Sequence, residues 1–170
     1  SPAEEEKINK SKKIFEALEI SKSFFSSQIF DDNNSLALKY IRDRGLDNEI
    51  INSYEIGYAP QGNKLEKFLL SKGVSHEIMT LAGMTIKDEN KKDNFYDRFR
   101  NRIIFPIRDI RNRVVGFGGR VININDQPKY LNSPETPVFH KGSLLYNFSK
   151  IRPNLKNNDN LIVVEGYMDV

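Results

Sequence analysis

Two carboxylates near the end of the chain are the clearest candidates for chemistry. Glu165 follows the apolar run 161–164 and precedes Gly166, and Asp169 comes four residues after Glu165. A short continuous apolar run is typical of a strand buried on both faces of a parallel sheet. The pattern therefore predicts an acid at the carboxyl end of such a strand, where α/β sheets bind ligands, with Asp169 facing the same site if the chain turns helical there. A solvated strand-end glutamate and a helix-capping aspartate are the alternatives.

The composition restricts the kind of metal that these acids could bind. The chain has no cysteine and only two histidines, His76 and His140. Thiolate zinc sites, disulfides and histidine-built metal centres are therefore not expected, and His140 is better explained as a hydrogen-bonded loop residue. Any metal here would be bound by oxygen ligands, as magnesium is.

Basic residues are concentrated in the second part of the chain. Residues 95–170 carry 12 Lys/Arg against 7 Asp/Glu, whereas residues 1–94 carry 14 against 16. Clustered arginines favour phosphate-containing partners because each guanidinium can donate paired hydrogen bonds, although a solvated basic surface is the alternative. The alternation of Arg98, Arg100 and Arg102 predicts three arginines on one strand face, with Asp97 pairing with one of them. Such a face suits the phosphate backbone of a nucleic acid.

Two further segments combine cations with a special backbone or ring. In VVGFGGR the glycines are too closely spaced for a dinucleotide-binding fingerprint. They mark either a bulged strand where another backbone comes close or bare backbone open to a phosphate beside Arg120. In the segment PKYL, Lys129 could bind a triphosphate while the Tyr130 ring stacks on a base or sugar. The alternatives are a loop cation and a core anchor.

The elements that must position these residues change character along the chain. Helical periodicity predicts helices from Glu4 to about Phe30 (one or two), Leu36–Arg42, Asn48–Tyr54, Leu65–Leu70 and His76–Ala82. Two β-branched runs, 103–107 and 114–121, predict a β-hairpin, and Pro106 places its first strand at an edge or a bulge. A polar loop from Asn123 to Pro137 follows. The expected fold is α+β, with a helical front, a mixed β-sheet and a last strand that opens an α/β unit.

Nothing in the sequence indicates a membrane segment. No run of about eighteen apolar residues is present, and Glu4, Glu5 and Glu6 stand where a secretory signal would be basic. We therefore expect a soluble, cytoplasmic protein without a membrane partner.

Several motifs in order resemble the catalytic core of bacterial DnaG-type primases. They are YDRFRNRIIFPIRD, VVGFGGRV, PKYLNSPET, FHKG and EGYMD, preceded by RDRGLDNEIINSYEIGYAP over residues 42–60. The resemblance implies that residues 1–157 form the N-terminal subdomain of that core and that residues 158–170 begin a TOPRIM domain. In this family, a strand of the TOPRIM domain carries a catalytic acid.

The resemblance also implies roles for individual residues. Glu165 would be catalytic, and Glu165 with Asp169 would form part of a site for magnesium (or manganese). Nucleotide and template binding would fall to Arg44, Arg120, Lys129, Tyr130 and Lys141. Arg98, Arg100 and Arg102 would contact the nucleic-acid backbone. Otherwise Arg44 is a cation that complements a helix end, and Lys141 is a turn lysine.

The function implied is synthesis of short RNA primers on single-stranded DNA from ribonucleoside triphosphates, at bacterial replication forks in the nucleoid. In this family a separate N-terminal module holds zinc and another module binds the replicative helicase, and neither is expected in this sequence. The chain stops before the downstream Asp-x-Asp strand of the family, so we expect it to bind single-stranded DNA weakly and to be inactive alone.

Two rival functions share some of these residues. A non-catalytic module that binds single strands or nucleotides would need only the basic residues. A topoisomerase-type nuclease would share the Glu165 strand but would not need the segments around Lys129 and Arg120.

Overall fold

The computed structural model describes residues 1–156 and 163–169. Six α-helices lie in these ranges: α1 (Pro2–Gln28), α2 (Ser35–Asp43), α3 (Asn48–Ser53), α4 (Lys64–Ser71), α5 (His76–Leu81) and α6 (Phe148–Ile151). The strands are β1 (Gly57–Ala59), β2 (Thr85–Lys87), β3 (Phe95–Asp97), β4 (Arg102–Arg108), β5 (Val114–Val121) and β6 (Tyr130–Asn132). The α+β class is confirmed. Across the described ranges, no helix has the length and apolar character needed to cross a membrane.

The main sheet is antiparallel in every described pairing, with strand order β1-β4-β5-β6. Among the described residues the sheet is therefore antiparallel and not mixed, and the strand predicted at 161–164, which would be its parallel member, lies partly outside them. The reason for the antiparallel pairing is the length of the connections: the turn 109–113 and the loop 122–129 join neighbouring strands directly, whereas a parallel pairing needs a long crossover. A separate two-stranded ribbon is formed by β2 and β3.

Pro106 lies in a strand that is central in the sheet but locally open. β1 pairs with β4 only over residues 102–104, so the side of β4 next to Pro106 has no neighbouring strand among the described residues. The register of β4 and β5 then shifts between Ile107 and Arg108. The bulge prediction is confirmed, and the open side explains how a proline without an N–H is accommodated in this strand.

The sheet separates two apolar layers. One face packs against α1, α4 and α5 through a cluster that includes Leu18, Phe25, Ile104 and Phe117. β1 contacts α1 so closely that a Cβ at Gly57 would lie 2.5 Å from the carbonyl carbon of Phe25. The other face packs against α2 and α3 through a second cluster. The members of that second cluster include Ile41, Ile51, Ile103, Phe105, Tyr146 and Tyr167.

The predicted strand at 161–164 is only partly within the described residues. Leu161 and Ile162 lie outside them, whereas Val163 and Val164 belong to no strand and are 69% and 39% exposed. A buried parallel strand is therefore wrong for these two valines, because no described strand pairs with them. The proposed division into units 1–157 and 158–170 remains a prediction.

Candidate functional site

One row of side chains across the sheet brings two predicted site residues together. Tyr58, Ile103, Arg120 and Tyr130 are directly opposite one another on β1, β4, β5 and β6, so their side chains share a face. The Nη1 of Arg120 donates a hydrogen bond to the Tyr130 hydroxyl at 3.1 Å, and its guanidinium lies 5.4 Å from the ring centroid. The sequence placed Tyr130 in a loop, whereas it begins β6.

Lys129 joins this pair from the adjacent position. Its Nζ lies 5.5 Å from the centroid of the same Tyr130 ring, which is 43% exposed. Two cations therefore flank one solvent-accessible aromatic ring. We name Arg120, Lys129 and Tyr130 the cation–tyrosine cluster. Arg120 supplies guanidinium N–H donors, Lys129 supplies an ammonium group on a flexible side chain, and Tyr130 supplies an aromatic surface. Together these groups suit a phosphate linked to a base or sugar.

Arg102 supports this cluster from inside the protein. Its side chain is 8% exposed, and its guanidinium donates from Nη2 to the Pro128 carbonyl oxygen at 2.7 Å and from Nη1 to the Arg100 carbonyl oxygen at 3.1 Å. Burial lowers the pKa of Arg102. Among the described residues its buried Nε has no hydrogen-bond partner. Arg102 thus holds the backbone immediately before Lys129.

The expected arginine face on a single strand is wrong. Arg98 and Arg100 lie in the bend between β3 and β4, and only Arg102 lies in a strand. Arg98 donates from Nε and Nη2 to the Asn132 carbonyl oxygen at 3.2 and 2.8 Å, whereas Arg100 is exposed with its guanidinium 5.2 Å from the Tyr96 ring. The period-two spacing does not apply because β3 ends at Asp97 and the chain turns there.

Asp97 makes its hydrogen bonds to a helix rather than to an arginine. Its two carboxylate oxygens accept from the backbone N–H groups of Leu65 and Glu66, each at 2.9 Å, and so cap the first turn of α4. Burial raises the pKa of Asp97 to about 6. Asp97 is therefore a structural carboxylate that connects α4 with the ribbon β2–β3.

The glycines of β5 are explained by neighbouring side chains. A Cβ at Gly118 would lie 2.5 Å from the hydroxyl of Tyr167, and one at Gly119 would lie 2.9 Å from Cδ1 of Phe99. The expectation that another backbone comes close to these glycines is wrong, because the groups that approach them are side chains. The backbone at Gly118 is consequently covered and is not open to a phosphate.

Tyr167 fixes the EGYMD segment to the same face of the sheet. Its ring stacks on Phe105 with centroids 5.2 Å apart and meets Tyr146 edge-on at 4.9 Å. Its hydroxyl donates to Oδ1 of Asn132 at 2.6 Å. Burial raises the pKa of Tyr167, and the hydrogen bond with Asn132 acts against that effect.

The two acids flank this tyrosine in one turn. The Asp169 N–H donates to the Gly166 carbonyl oxygen at 3.1 Å, and the Asp169 carboxylate folds back against the Cα of Gly166. Glu165 is exposed. Within the described ranges, no group of three acids or histidines is arranged to hold a metal. Magnesium is often bound through one or two carboxylates plus phosphates and water, so Glu165 and Asp169 fit a partial site of that kind.

Arg44 and Lys141 lie apart from the cation–tyrosine cluster. Arg44 caps the C-terminal end of α2, and its guanidinium lies 4.6 Å from the centroid of the Tyr40 ring. The backbone N–H of Lys141 donates to Oε1 of Glu135 at 2.8 Å, and His140 also contacts that carboxylate, as expected of a loop histidine. Among the described residues, no hydrogen bond or ring contact joins Arg44 or Lys141 to the cluster.

Sequence reasoning missed two residues of this site, Tyr167 and Asn132. Neither carries a local signal, because their importance comes from contacts between distant segments. The closest available signal was Gly118, whose missing side chain indicates that something approaches β5 closely.

Comparisons with known proteins agree with one family. The family model described as "DNA primase catalytic core, N-terminal domain" matches residues 24–152. A DNA primase of Legionella pneumophila is 49% identical over 139 residues, which are 81% of this chain and 23% of that protein. A DNA primase of Deinococcus radiodurans is 50% identical over 135 residues, which are 79% of this chain and 23% of that protein. The chain thus spans about a quarter of the length of these relatives.

Solved structures give the same result. A DnaG primase catalytic domain bound to single-stranded DNA has a TM-score of 0.84 and 38% identity, covering 96% of this chain and 52% of that one. A DNA primase domain from Pseudomonas aeruginosa has a TM-score of 0.81 and 39% identity, covering 92% and 49%. The zinc-binding and RNA polymerase domains of the Aquifex aeolicus primase have a TM-score of 0.83 and 32% identity, covering 94% and 38%. The chain therefore belongs to the family of the N-terminal domain of the DNA primase catalytic core.

Proposed function

We propose that this chain supplies the template- and nucleotide-binding part of a bacterial primase, which synthesises short RNA primers on single-stranded DNA at replication forks. One observation carries the proposal. Arg120 and Lys129 converge on the exposed Tyr130 ring, and Tyr167 docks the turn that bears Glu165 onto the same face of the same strands. These contacts support the proposal that groups suited to phosphate and an acid suited to phosphoryl chemistry share one surface.

The cation–tyrosine cluster accounts for binding. The guanidinium of Arg120 is oriented by its hydrogen bond to Tyr130 and keeps further N–H donors for a phosphate oxygen. Lys129 adds a flexible positive charge, and the Tyr130 ring offers a surface on which a base or sugar can stack. The similar catalytic domain described as bound to single-stranded DNA supports this choice of ligand.

The acids account for the step that follows binding. In primer synthesis a 3′-hydroxyl attacks the α-phosphate of a ribonucleoside triphosphate, and pyrophosphate leaves. A bound magnesium or manganese ion would neutralise the charge on the transferring phosphoryl group. Glu165 and Asp169 would hold such an ion, and the exposure of Glu165 leaves its carboxylate accessible.

Binding of labelled single-stranded DNA, followed by fluorescence anisotropy, tests the proposal. We expect Arg120→Ala and Lys129→Ala each to weaken binding by roughly tenfold or more, because a hydrogen bond to a charged group contributes roughly 1.5–3 kcal/mol and about 1.4 kcal/mol corresponds to a factor of ten in affinity. Arg44→Ala tests whether the C-terminal end of α2 belongs to the same DNA-binding surface. Arg111→Ala is the matched control, since it removes the same charge from the exposed hairpin turn at the opposite end of β5.

Unchanged binding in Arg44→Ala, Arg120→Ala and Lys129→Ala would reject the assignment of this surface. Equal weakening in Arg111→Ala would show that only net charge matters.

The alternative is a non-catalytic module that binds single strands or nucleotides. It is favoured by the cluster itself, because two cations and a ring can bind without any acid. Glu165→Gln, placed in a complete catalytic core, separates the two functions. Loss of primer synthesis with intact DNA binding supports the enzyme, whereas full primer synthesis rejects a catalytic role for Glu165.

A further inference from the structure

Tyr167 contacts three neighbouring strands of the main sheet, β4, β5 and β6. Phe105, Gly118 and Asn132 are directly opposite one another on β4, β5 and β6. Tyr167 stacks on the first, covers the second and donates a hydrogen bond to the third. One side chain therefore lies across a complete row of the sheet.

The neighbouring row on the same face contains Arg120 and Tyr130 of the cation–tyrosine cluster. Arg120 is two residues beyond Gly118 on β5, and Tyr130 is two residues before Asn132 on β6. Two residues correspond to about 7 Å along a strand, and side chains two apart point to the same face. The tyrosine thus docks its turn one row away from the phosphate-binding groups.

We propose that Tyr167 is a positioning residue that sets the place of Glu165 and Asp169 relative to Arg120, Lys129 and Tyr130. The proposal rests on the function proposed above for that site. Tyr167 separates the two acids in sequence, and the Asp169 N–H to Gly166 carbonyl hydrogen bond closes the turn around it. Holding the ring therefore holds both carboxylates.

The absence of a side chain at residue 118 is necessary for this docking of Tyr167. Any Cβ there would occupy the space of the Tyr167 ring. Glycine is thus required at this position of β5 because the Tyr167 ring occupies the space of a Cβ there while its hydroxyl reaches Asn132 on β6. Gly118→Ala should displace the ring without altering either acid or either cation.

Amide hydrogen exchange in this chain tests the docking. We expect Tyr167→Ala and Gly118→Ala to speed exchange at Asp169 at least several-fold, because the turn loses its anchor. Tyr167→Phe should give an intermediate effect, since it keeps the stacking on Phe105 and loses the hydrogen bond to Asn132. Gly142→Ala is the control, because a Cβ there meets nothing within 4 Å.

Unchanged exchange at Asp169 in Tyr167→Ala would overturn the docking, provided that exchange in β4 and β5 shows the fold to be intact. This measurement requires neither DNA nor catalysis, so it remains decisive if the proposed function fails.

Kinetics in a complete catalytic core that contains this segment test the positioning role. We expect Tyr167→Ala to lower kcat for primer synthesis by roughly tenfold or more, because small displacements of reacting groups are costly. The Kd for single-stranded DNA should stay within twofold, and Tyr167→Phe should recover part of kcat. Faster exchange without a change in kcat, or an equal loss of DNA affinity, would overturn the positioning role. Absence of DNA binding in the unsubstituted chain would instead count against the proposed function.

Discussion

At the scale of single residues, the arginines between residues 98 and 120 have different roles according to their burial. Arg120 is half-buried and reaches the exposed Tyr130 ring, and Arg100 is exposed. Arg102 is buried and binds two backbone carbonyl oxygens. Only the accessible arginines can contact a nucleic acid directly, so Arg102 contributes to the site by holding the segment that carries Lys129.

Replacing Arg102 should therefore lower the stability of the fold, whereas any effect on DNA binding would be indirect. We expect Arg102→Ala to lower the free energy of unfolding by about 2–3 kcal/mol, because hydrogen bonds from a charged group are among the stronger ones. Urea denaturation measures this change. Arg111→Ala, at an exposed turn position, should stay within about 0.5 kcal/mol of the unsubstituted chain. Equal stability of the two variants would contradict a supporting role for Arg102.

The division among the arginines could not be predicted from their spacing. Alternation at Arg98, Arg100 and Arg102 indicates a strand face only if the strand continues, and β3 ends at Asp97. The motifs singled out Arg120, Lys129 and Tyr130 individually, but the meeting of Arg120 with Tyr130 was not predicted, because it depends on the pairing of β5 with β6. That Tyr130 belongs to a strand was missed, because β6 is a three-residue strand inside a polar loop and is defined by its pairing with β5.

At the scale of elements, Glu55 joins α1 to the sheet. It follows α3 with a left-handed backbone (φ 55°) and accepts from Lys22 of α1 at 3.0 Å and from Arg108 of β4 at 2.6 Å. Burial by itself would raise the pKa of Glu55, but the hydrogen bonds from Arg108 and Lys22 hold it below its ordinary value of 4.5. The ionised carboxylate therefore stabilises the packing of α1 on β4.

The direction of the pH dependence follows from that lowered pKa. The stabilisation is fully present above the pKa of the unfolded chain and is lost as the pH falls through the lower pKa of the folded state. We expect Glu55→Gln to be less stable than the unsubstituted chain at pH 7, and the difference to shrink below about pH 4. Thermal unfolding across pH 3–7 measures it. The exposed Glu49→Gln is the control, and a difference for Glu55→Gln that grows on acidification would contradict the ion-pair account.

Most elements could be predicted from periodicity, and their arrangement could not. The five predicted helical segments and the hairpin are present with small shifts at their ends. Helical and strand periods are local properties, so the sequence shows them directly. The antiparallel hairpin of β4 and β5 was predicted, but the pairing of β1 with β4 and of β6 with β5 was not, because pairing depends on connections and partners that a local pattern does not describe.

At the scale of the whole molecule, the two faces of the sheet carry different groups. α1, α4 and α5 cover one face, while the other face carries α2, α3, the cation–tyrosine cluster and the docked acidic turn. The family could be predicted from the order of several motifs, because their combination is specific where each alone is weak. The meeting of residues 118 and 167 could not, because they are distant in sequence and nothing local joins them.

The central claim is that Arg120 and Lys129 bind the phosphates of a single strand. Its most direct test is the dependence of the Kd for single-stranded DNA on salt concentration, measured for the unsubstituted chain, the double variant Arg120→Ala/Lys129→Ala, and Arg111→Ala. Each lost phosphate contact lowers the slope of log Kd against log salt by about 0.7 for single strands, so the double variant should lose roughly 1–1.5. Arg111→Ala should keep the full slope. An unchanged slope in the double variant would contradict the claim.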